Sequence, residues 1–173
     1  GVQTCALPIS CNITVTKLNK NELYETAALA LLNGAGFLLI NRFLPGGRGL
    51  KYQQELMLSN NEINTMLQTA ESVLRKAGRY GATGTEIPLC VVKDPHAFTH
   101  LSISYQCAAA KSFFAVDPAG QIRVCNHSTR IVGNVFSDNL IEDREYWDIF
   151  AQSHYHPQYC NQCSMVSKCD CSI

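Results

Sequence analysis

Apart from Cys5 and Cys11, all of the chain's nine cysteines lie between Cys90 and Cys171. That crowding constrains the fold more than any other feature. The last part of the segment, residues 146–173, is aromatic, histidine-bearing and cysteine-rich, with little periodicity. Small modules of that kind bury too little apolar surface to stand alone and need a metal or disulfides to hold them. Two spacings stand out: Cys107-x12-Gly120-x4-Cys125, and Cys160-x2-Cys163-x5-Cys169-x-Cys171. The first spans residues 113–125, which read as a hairpin turning at Asp117-Pro118-Ala119-Gly120. Proline fixes φ early in that turn, and glycine accepts the left-handed position that re-enters the strand. A hairpin brings the ends of a strand pair together, so Cys107 and Cys125 can face one metal centre. The Cys-x2-Cys step lets two thiolates reach one ion or cluster from a tight turn whose backbone N–H groups also point at the sulfurs.

The upstream half has ordinary periodicity. Asn12-Ile13-Thr14-Val15-Thr16 is β-branched at nearly every position and reads as a buried strand. Asn19 or Asn21 is expected to cap a following helix, in which Leu23, Ala27, Ala30 and Leu31 share one face until Gly34 ends it. Residues 36–43 form an apolar run suited to a parallel strand covered on both faces. The loop Leu44-Pro45-Gly46-Gly47-Arg48-Gly49 breaks it. Ser59 and Glu62 then make a capping-box pattern ahead of the stripe Ile63, Met66, Leu67, Ala70, Val73 and Leu74, which Gly78 closes. Thr85-Glu86-Ile87-Pro88-Leu89-Cys90 is expected to be a further strand, with Pro88 at an edge or end. The alternation implies βα units, an α/β fold with a parallel sheet.

Lys+Arg and Asp+Glu balance at 14 each, so there is no electrostatic case for nucleic acid or an anionic membrane surface. The apolar stretch 27–40 is broken by Asn33, Gly34 and Gly36 and is too short to span a bilayer. With no signal-peptide pattern at the start, a cytoplasmic location is expected. Gly1-Val2-Gln3-Thr4-Cys5-Ala6-Leu7-Pro8-Ile9 reads as the in-frame translation of a sequencing-library adapter. Residues 1–10 are therefore set apart as an artefact, and Cys5 enters no site argument.

The cysteine pattern resembles the SPASM domain, the C-terminal extension of many radical S-adenosylmethionine enzymes. Its signature is Cys-x(9–15)-Gly-x4-Cys, a gap, then Cys-x2-Cys-x5-Cys. Gly133-Asn134-Val135-Phe136 resembles the usual linker between the two groups. The stretch from Asn12 to Gly49, with Val15-Thr16-Lys17-Leu18-Asn19 and the Arg42–Gly49 loop, resembles the latter half of that superfamily's partial barrel. The resemblance implies that residues 11–89 are the C-terminal part of a partial (β/α) barrel. Residues 90–173 would then be a small cysteine-rich α+β domain binding one or two auxiliary [4Fe–4S] clusters.

On that basis Cys107 and Cys125, with Cys90 available to join them, would serve the first cluster, and Cys160, Cys163 and Cys169 the second. The family pattern continues Cys-x3-Cys, its added cysteine crossing back to the first cluster; here position 173 is Ile173 and only Cys171 is available. The parent enzyme would cleave S-adenosylmethionine to a 5′-deoxyadenosyl radical and modify a ribosomally made peptide or a protein side chain, as an oxidoreductase or maturase. An electron donor such as flavodoxin or ferredoxin would serve it. The Cys-x3-Cys-x2-Cys loop that starts this chemistry does not occur in the sequence, so the chain is expected to be inert alone. Some members carry a carboxylate after the second hairpin cysteine; here that position is Asn126, and no catalytic residue is assigned.

Arg42 and Arg48 lie at or after the C-terminal end of a barrel-type strand, where either can hold a carboxylate of S-adenosylmethionine or substrate, or simply be solvated. The competing reading of the cysteines is a zinc-stabilised, non-catalytic interaction module, with His154 or His156 completing a mixed ligand set. Extracellular disulfides are the third. His127, His154 and His156 otherwise read as surface or packing residues, and Tyr105, Phe113, Phe114, Tyr146 and Trp147 as core.

Overall fold

The computed structural model describes residues 9–169. Residues 1–8 with Cys5, and residues 170–173 with Cys171, lie outside that range. The chain divides into two compact units: residues 9–44 with Tyr52–Ser104, and Pro45–Lys51 with residues 105–169.

The first unit is an α/β sheet. Strands β1 (Ser10–Val15), β2 (Phe37–Arg42), β3 (Tyr80–Thr83) and β4 (Leu101–Ser102) lie in the order β1-β2-β3-β4, every neighbouring pair parallel. Helix α1 (Leu23–Leu32) joins β1 to β2. The short α2 (Gln53–Leu56) and long α3 (Asn60–Ala77) lie between β2 and β3. Ile13, Val15, Leu38 and Ile40 are buried on one face of the sheet, and Leu67, Ala70 and Leu74 of α3 are fully enclosed. The run in β2 was expected to be covered on both faces, but buried Leu38 and Ile40 alternate with half-buried Phe37 and Leu39. One face is packed and the other only partly covered. Among the described residues no helix is long and apolar enough to cross a membrane.

Local signals set both ends of α3. Ser59 accepts from the Glu62 N–H while the Glu62 carboxylate accepts from the Ser59 N–H at 2.8 Å, a reciprocal capping box. Lys20 pairs with the same carboxylate. Gly78, in the left-handed region at φ +60°, lets the last turn close. Ser59→Ala is expected to cost about 1 kcal/mol, read as a lower urea midpoint with an unchanged slope. Asn19 departs from expectation. Its side chain accepts from the Thr16 N–H at 2.8 Å and donates to the Thr14 carbonyl at 3.0 Å, stitching the turn after β1 instead of capping α1.

The third strand also departs from expectation. Residues 85–90 form a loop, and the strand lies earlier, at Tyr80–Thr83. Tertiary packing selected it: a Cβ on Gly81 would stand 2.6 Å from the Leu38 carbonyl oxygen, so only glycine permits so close an approach to β2.

The second unit carries a three-stranded antiparallel sheet, β5 (Ala115–Val116), β6 (Gln121–Arg123) and β7 (Gly133–Asn134), with β6 in the middle. The hairpin turns where the sequence placed it. Gly120 has φ +79°, and Asp117 accepts from the Ala119 and Gln121 N–H groups at 2.9 and 3.0 Å. Ala110, Ile122, Val124 and Val132 form the core, and Tyr146, Trp147 and Phe150 of helix α4 (Arg144–Ala151) pack against it. Phe113 and Phe114, expected in the core, are exposed; Phe114 meets the edge of Trp147.

Candidate metal centre

Backbone hydrogen bonds tie together the segments that carry Cys107 and Cys125. The Ala108 carbonyl accepts from the N–H groups of Lys111, Ser112 and Phe113 at 3.1–3.2 Å, which forces a tight turn with Ala110 at φ +56°. The Ala110 N–H then reaches the Val124 carbonyl at 3.2 Å. This bond ties the turn after Cys107 to the residue before Cys125. Both cysteines are half-buried, and Cys125 packs on the core of the unit.

The C-terminal group has a three-residue rhythm. N–H groups of Cys160, Cys163, Val166 and Cys169 donate in turn to the carbonyls of Pro157, Cys160, Cys163 and Val166, at 2.8–3.1 Å. The x2 and x5 spacings are therefore one and two such turns, and each cysteine closes a turn. Between residues 152 and 169, Cys160 (7% exposed) and Cys169 (4%) are the only buried residues among those whose burial is described. Thiols stand where a hydrophobic core would.

Cys90 belongs to the first unit. It is exposed on the 3-10 turn Leu89–Val91, in a loop that Asn64 of α3 holds by donating to the Val91 carbonyl (2.8 Å) and accepting from the Lys93 N–H (3.0 Å). Cys171 lies outside the described residues. No disulfide joins Cys11, Cys90, Cys107, Cys125, Cys160, Cys163 or Cys169 to one another.

Among the described residues no three side chains of His, Cys, Asp or Glu are gathered closely enough to hold one metal ion. A tetrahedral zinc site thus has no ready-made ligand set within them. A four-iron cluster likewise takes several converging thiolates, and within these residues no such set is gathered either. The donor set fits that group in softness and in the burial of Cys160 and Cys169. It is short of a full set of ligands within residues 9–169.

The two arginines have different surroundings. Arg42 ends β2, its Nε donating to the Glu86 carbonyl at 3.0 Å and its guanidinium 3.9 Å from the Glu86 carboxylate, both side chains only 10% exposed. Burial pulls the Arg42 guanidinium below its ordinary range, and the charge of Glu86 works against that shift. Arg42 is thus already held by its own unit. Arg48 is exposed on the 3-10 turn Gly47–Tyr52. Its loop is seated on the second unit: a Cβ on Gly46 would meet the His127 ring at 2.4 Å, so His127 packs directly on glycine backbone.

Sequence reading missed the contact of His156, which meets the Cys169 carbonyl at 3.1 Å. A lone histidine thirteen residues from its partner gives no local signal. No protein-family model, curated protein or solved structure matches this chain.

Proposed function

We propose that this chain is the C-terminal part of a radical S-adenosylmethionine enzyme: the end of a partial (β/α) barrel followed by a SPASM-like domain for auxiliary [4Fe–4S] clusters. One observation carries the reading. Cys160, Cys163 and Cys169 fall on one series of three-residue turns, with Val166 on the turn between the last two, and cysteines are the only buried residues of 152–169 among those whose burial is described. A module built that way lacks an apolar core and gains its stability from what the thiolates bind. The sheet order adds support. Four parallel strands in sequence order, with no reversal, have the strand order of a barrel segment, whereas the strand order of a doubly wound sheet reverses at a switch point.

In this reading Cys107 and Cys125 serve one cluster and Cys160, Cys163 and Cys169 the other, with Cys171 as a further ligand. When bound, such clusters accept or relay single electrons, or bind substrate, beside the radical reaction. The chain's own part is to present thiolates from rigid turns and keep water away, which the burial of Cys160 and Cys169 favours. Arg48, exposed after β2, remains the better of the two arginines for a substrate or cofactor carboxylate, because Arg42 is engaged with Glu86. The parent would act on a peptide or protein side chain, with a flavodoxin or ferredoxin as donor.

Anaerobic reconstitution with iron and sulfide tests the reading. Broad visible absorption bleached by dithionite is expected, and the paired change Cys160→Ser and Cys163→Ser is expected to remove roughly half of the bound iron. A colourless protein that instead takes up stoichiometric zinc would overturn it in favour of the interaction module. This chain alone is expected to release no 5′-deoxyadenosine from S-adenosylmethionine under reducing conditions. Chromatographic detection of that product would refute the assignment of the radical-initiating cluster to another part of the parent.

A further inference from the structure

The polar contact of His156 links the last described candidate ligand to the aromatic side of the second unit. His156 Nε2 lies 3.1 Å from the Cys169 carbonyl oxygen. A carbonyl only accepts, so Nε2 carries the hydrogen and donates it. That nitrogen is occupied by backbone and is not offered to a metal. The Cys169 N–H is fixed as well, donating to Val166 at 3.1 Å. With both peptide groups of Cys169 held, the direction of its Cα–Cβ bond is set by the backbone, and only rotation about that bond is left to aim the sulfur.

His156 is itself placed by a run of rings. Tyr146 and Phe150 of α4 meet at 5.2 Å between centroids, Phe150 and Tyr155 at 5.3 Å, and Tyr155 and His156 at 5.6 Å. Tyr146 and Phe150 pack on the same core as Cys125. A continuous path of packed groups therefore runs from the hairpin cysteine to the carbonyl of Cys169.

Resting on the cluster reading above, we propose that His156 is a positioning residue for the C-terminal cysteine group. It holds the Cys169 carbonyl through Nε2–H and, through the ring series from Tyr146, sets that group against the hairpin core. It touches no reacting atom. Partners of this kind orient metal ligands and govern how firmly a metal is held, and losing one typically costs about 10–100-fold in retention.

The test compares the wild-type chain with His156→Ala, His156→Gln and His154→Ala, using Trp147 fluorescence to check that each is folded. In metal-free protein, the rate at which iodoacetamide alkylates Cys169 is followed by peptide mass mapping. In anaerobically reconstituted protein, iron loss to a ferrous chelator and the electron paramagnetic resonance spectrum after dithionite are recorded. His156→Ala is expected to alkylate at Cys169 about tenfold faster, lose iron about 10–100-fold faster and show an altered spectrum. His156→Gln, whose amide N–H reaches the same carbonyl, is expected to stay near wild type, and His154→Ala to match it. A His156→Ala protein identical to wild type in all three readouts overturns the proposal, as does a folded glutamine variant that fails to restore them. If wild type takes up no iron while the alkylation difference holds, the cluster reading falls and the hold of His156 on Cys169 stands.

Discussion

Replacing Glu71 by alanine is expected to cost about 3 kcal/mol, a large share of a domain's stability. Glu71 lies midway along α3 and is 5% exposed. Its carboxylate accepts from three consecutive backbone N–H groups, Thr99 at 3.1 Å, His100 at 3.0 Å and Leu101 at 2.8 Å. The Thr99 hydroxyl and the Arg75 guanidinium reach it at 3.0 and 2.9 Å. One side chain therefore satisfies the chain as it enters β4, and alanine would strand those donors.

The titration of Glu71 carries the same information. Burial raises a carboxyl's pKa, but the hydrogen bonds from His100, Thr99, Leu101 and Arg75 outweigh it and hold Glu71 at about 2, against an ordinary 4.5. That difference corresponds to about 3 kcal/mol. Because the folded value is the lower one, the stabilisation is fully present above pH 4.5 and is lost as the pH falls from there toward 2. Urea unfolding followed by far-ultraviolet circular dichroism at pH 7, then at stepwise lower pH, should show the gap between wild type and Glu71→Ala closing through that window. A variant within about 0.5 kcal/mol of wild type at pH 7, the range of an ordinary surface change, would refute the assignment.

Gly133→Ala is expected to cost the second unit about 3 kcal/mol or more, beyond ordinary overpacking because backbone rather than side chain is struck. A Cβ there would stand 1.8 Å from the Leu140 carbonyl oxygen, 2.8 Å from its carbonyl carbon and 3.1 Å from Ile141 Cα. No rotamer relieves that contact, so β7 must leave β6, breaking the Gly133–Ile122 pairing. The adjacent Val132 carbonyl, which accepts from the Glu142 and Asp143 N–H groups at 2.8 and 2.9 Å, would be displaced with it. Trp147 is the chain's one tryptophan and packs on this core, so its emission reports the second unit. It should shift to the unfolded value in Gly133→Ala under conditions where wild type is native. Native emission and an unchanged unfolding midpoint would show that the backbone has room the geometry denies.

Both residues mark where sequence reading stopped. The stripe of α3 gave its buried face, but nothing in it marked Glu71 and Asn64, one step off that stripe, as buried. They are buried because loops arriving more than twenty residues later bring N–H groups and carbonyls that need partners. Gly133 drew notice only as part of a linker-like stretch, since the loop at Leu140 that it nearly touches is set by packing. The cysteine spacings were legible in the sequence, and the three-residue turns on which the last group falls emerged only in the structure. The bond that fixes Cys169 was not legible, because it joins residues thirteen apart with no periodic relation.

By itself the sequence determined whatever depends on neighbours within a few residues. The capping box at Ser59, the left-handed glycines at 34, 78 and 120, the apolar stripe of α3 and the hairpin turn are all short-range consequences of φ preference, side-chain reach and helical period. Tertiary structure alone decided which segment became the third strand, that Arg42 is spent on Glu86, that Phe113 and Phe114 face outward, and which polar groups serve buried donors. Those outcomes turn on close backbone approach and on satisfying N–H groups out of reach of water, and both depend on atoms that the chain brings together only by folding.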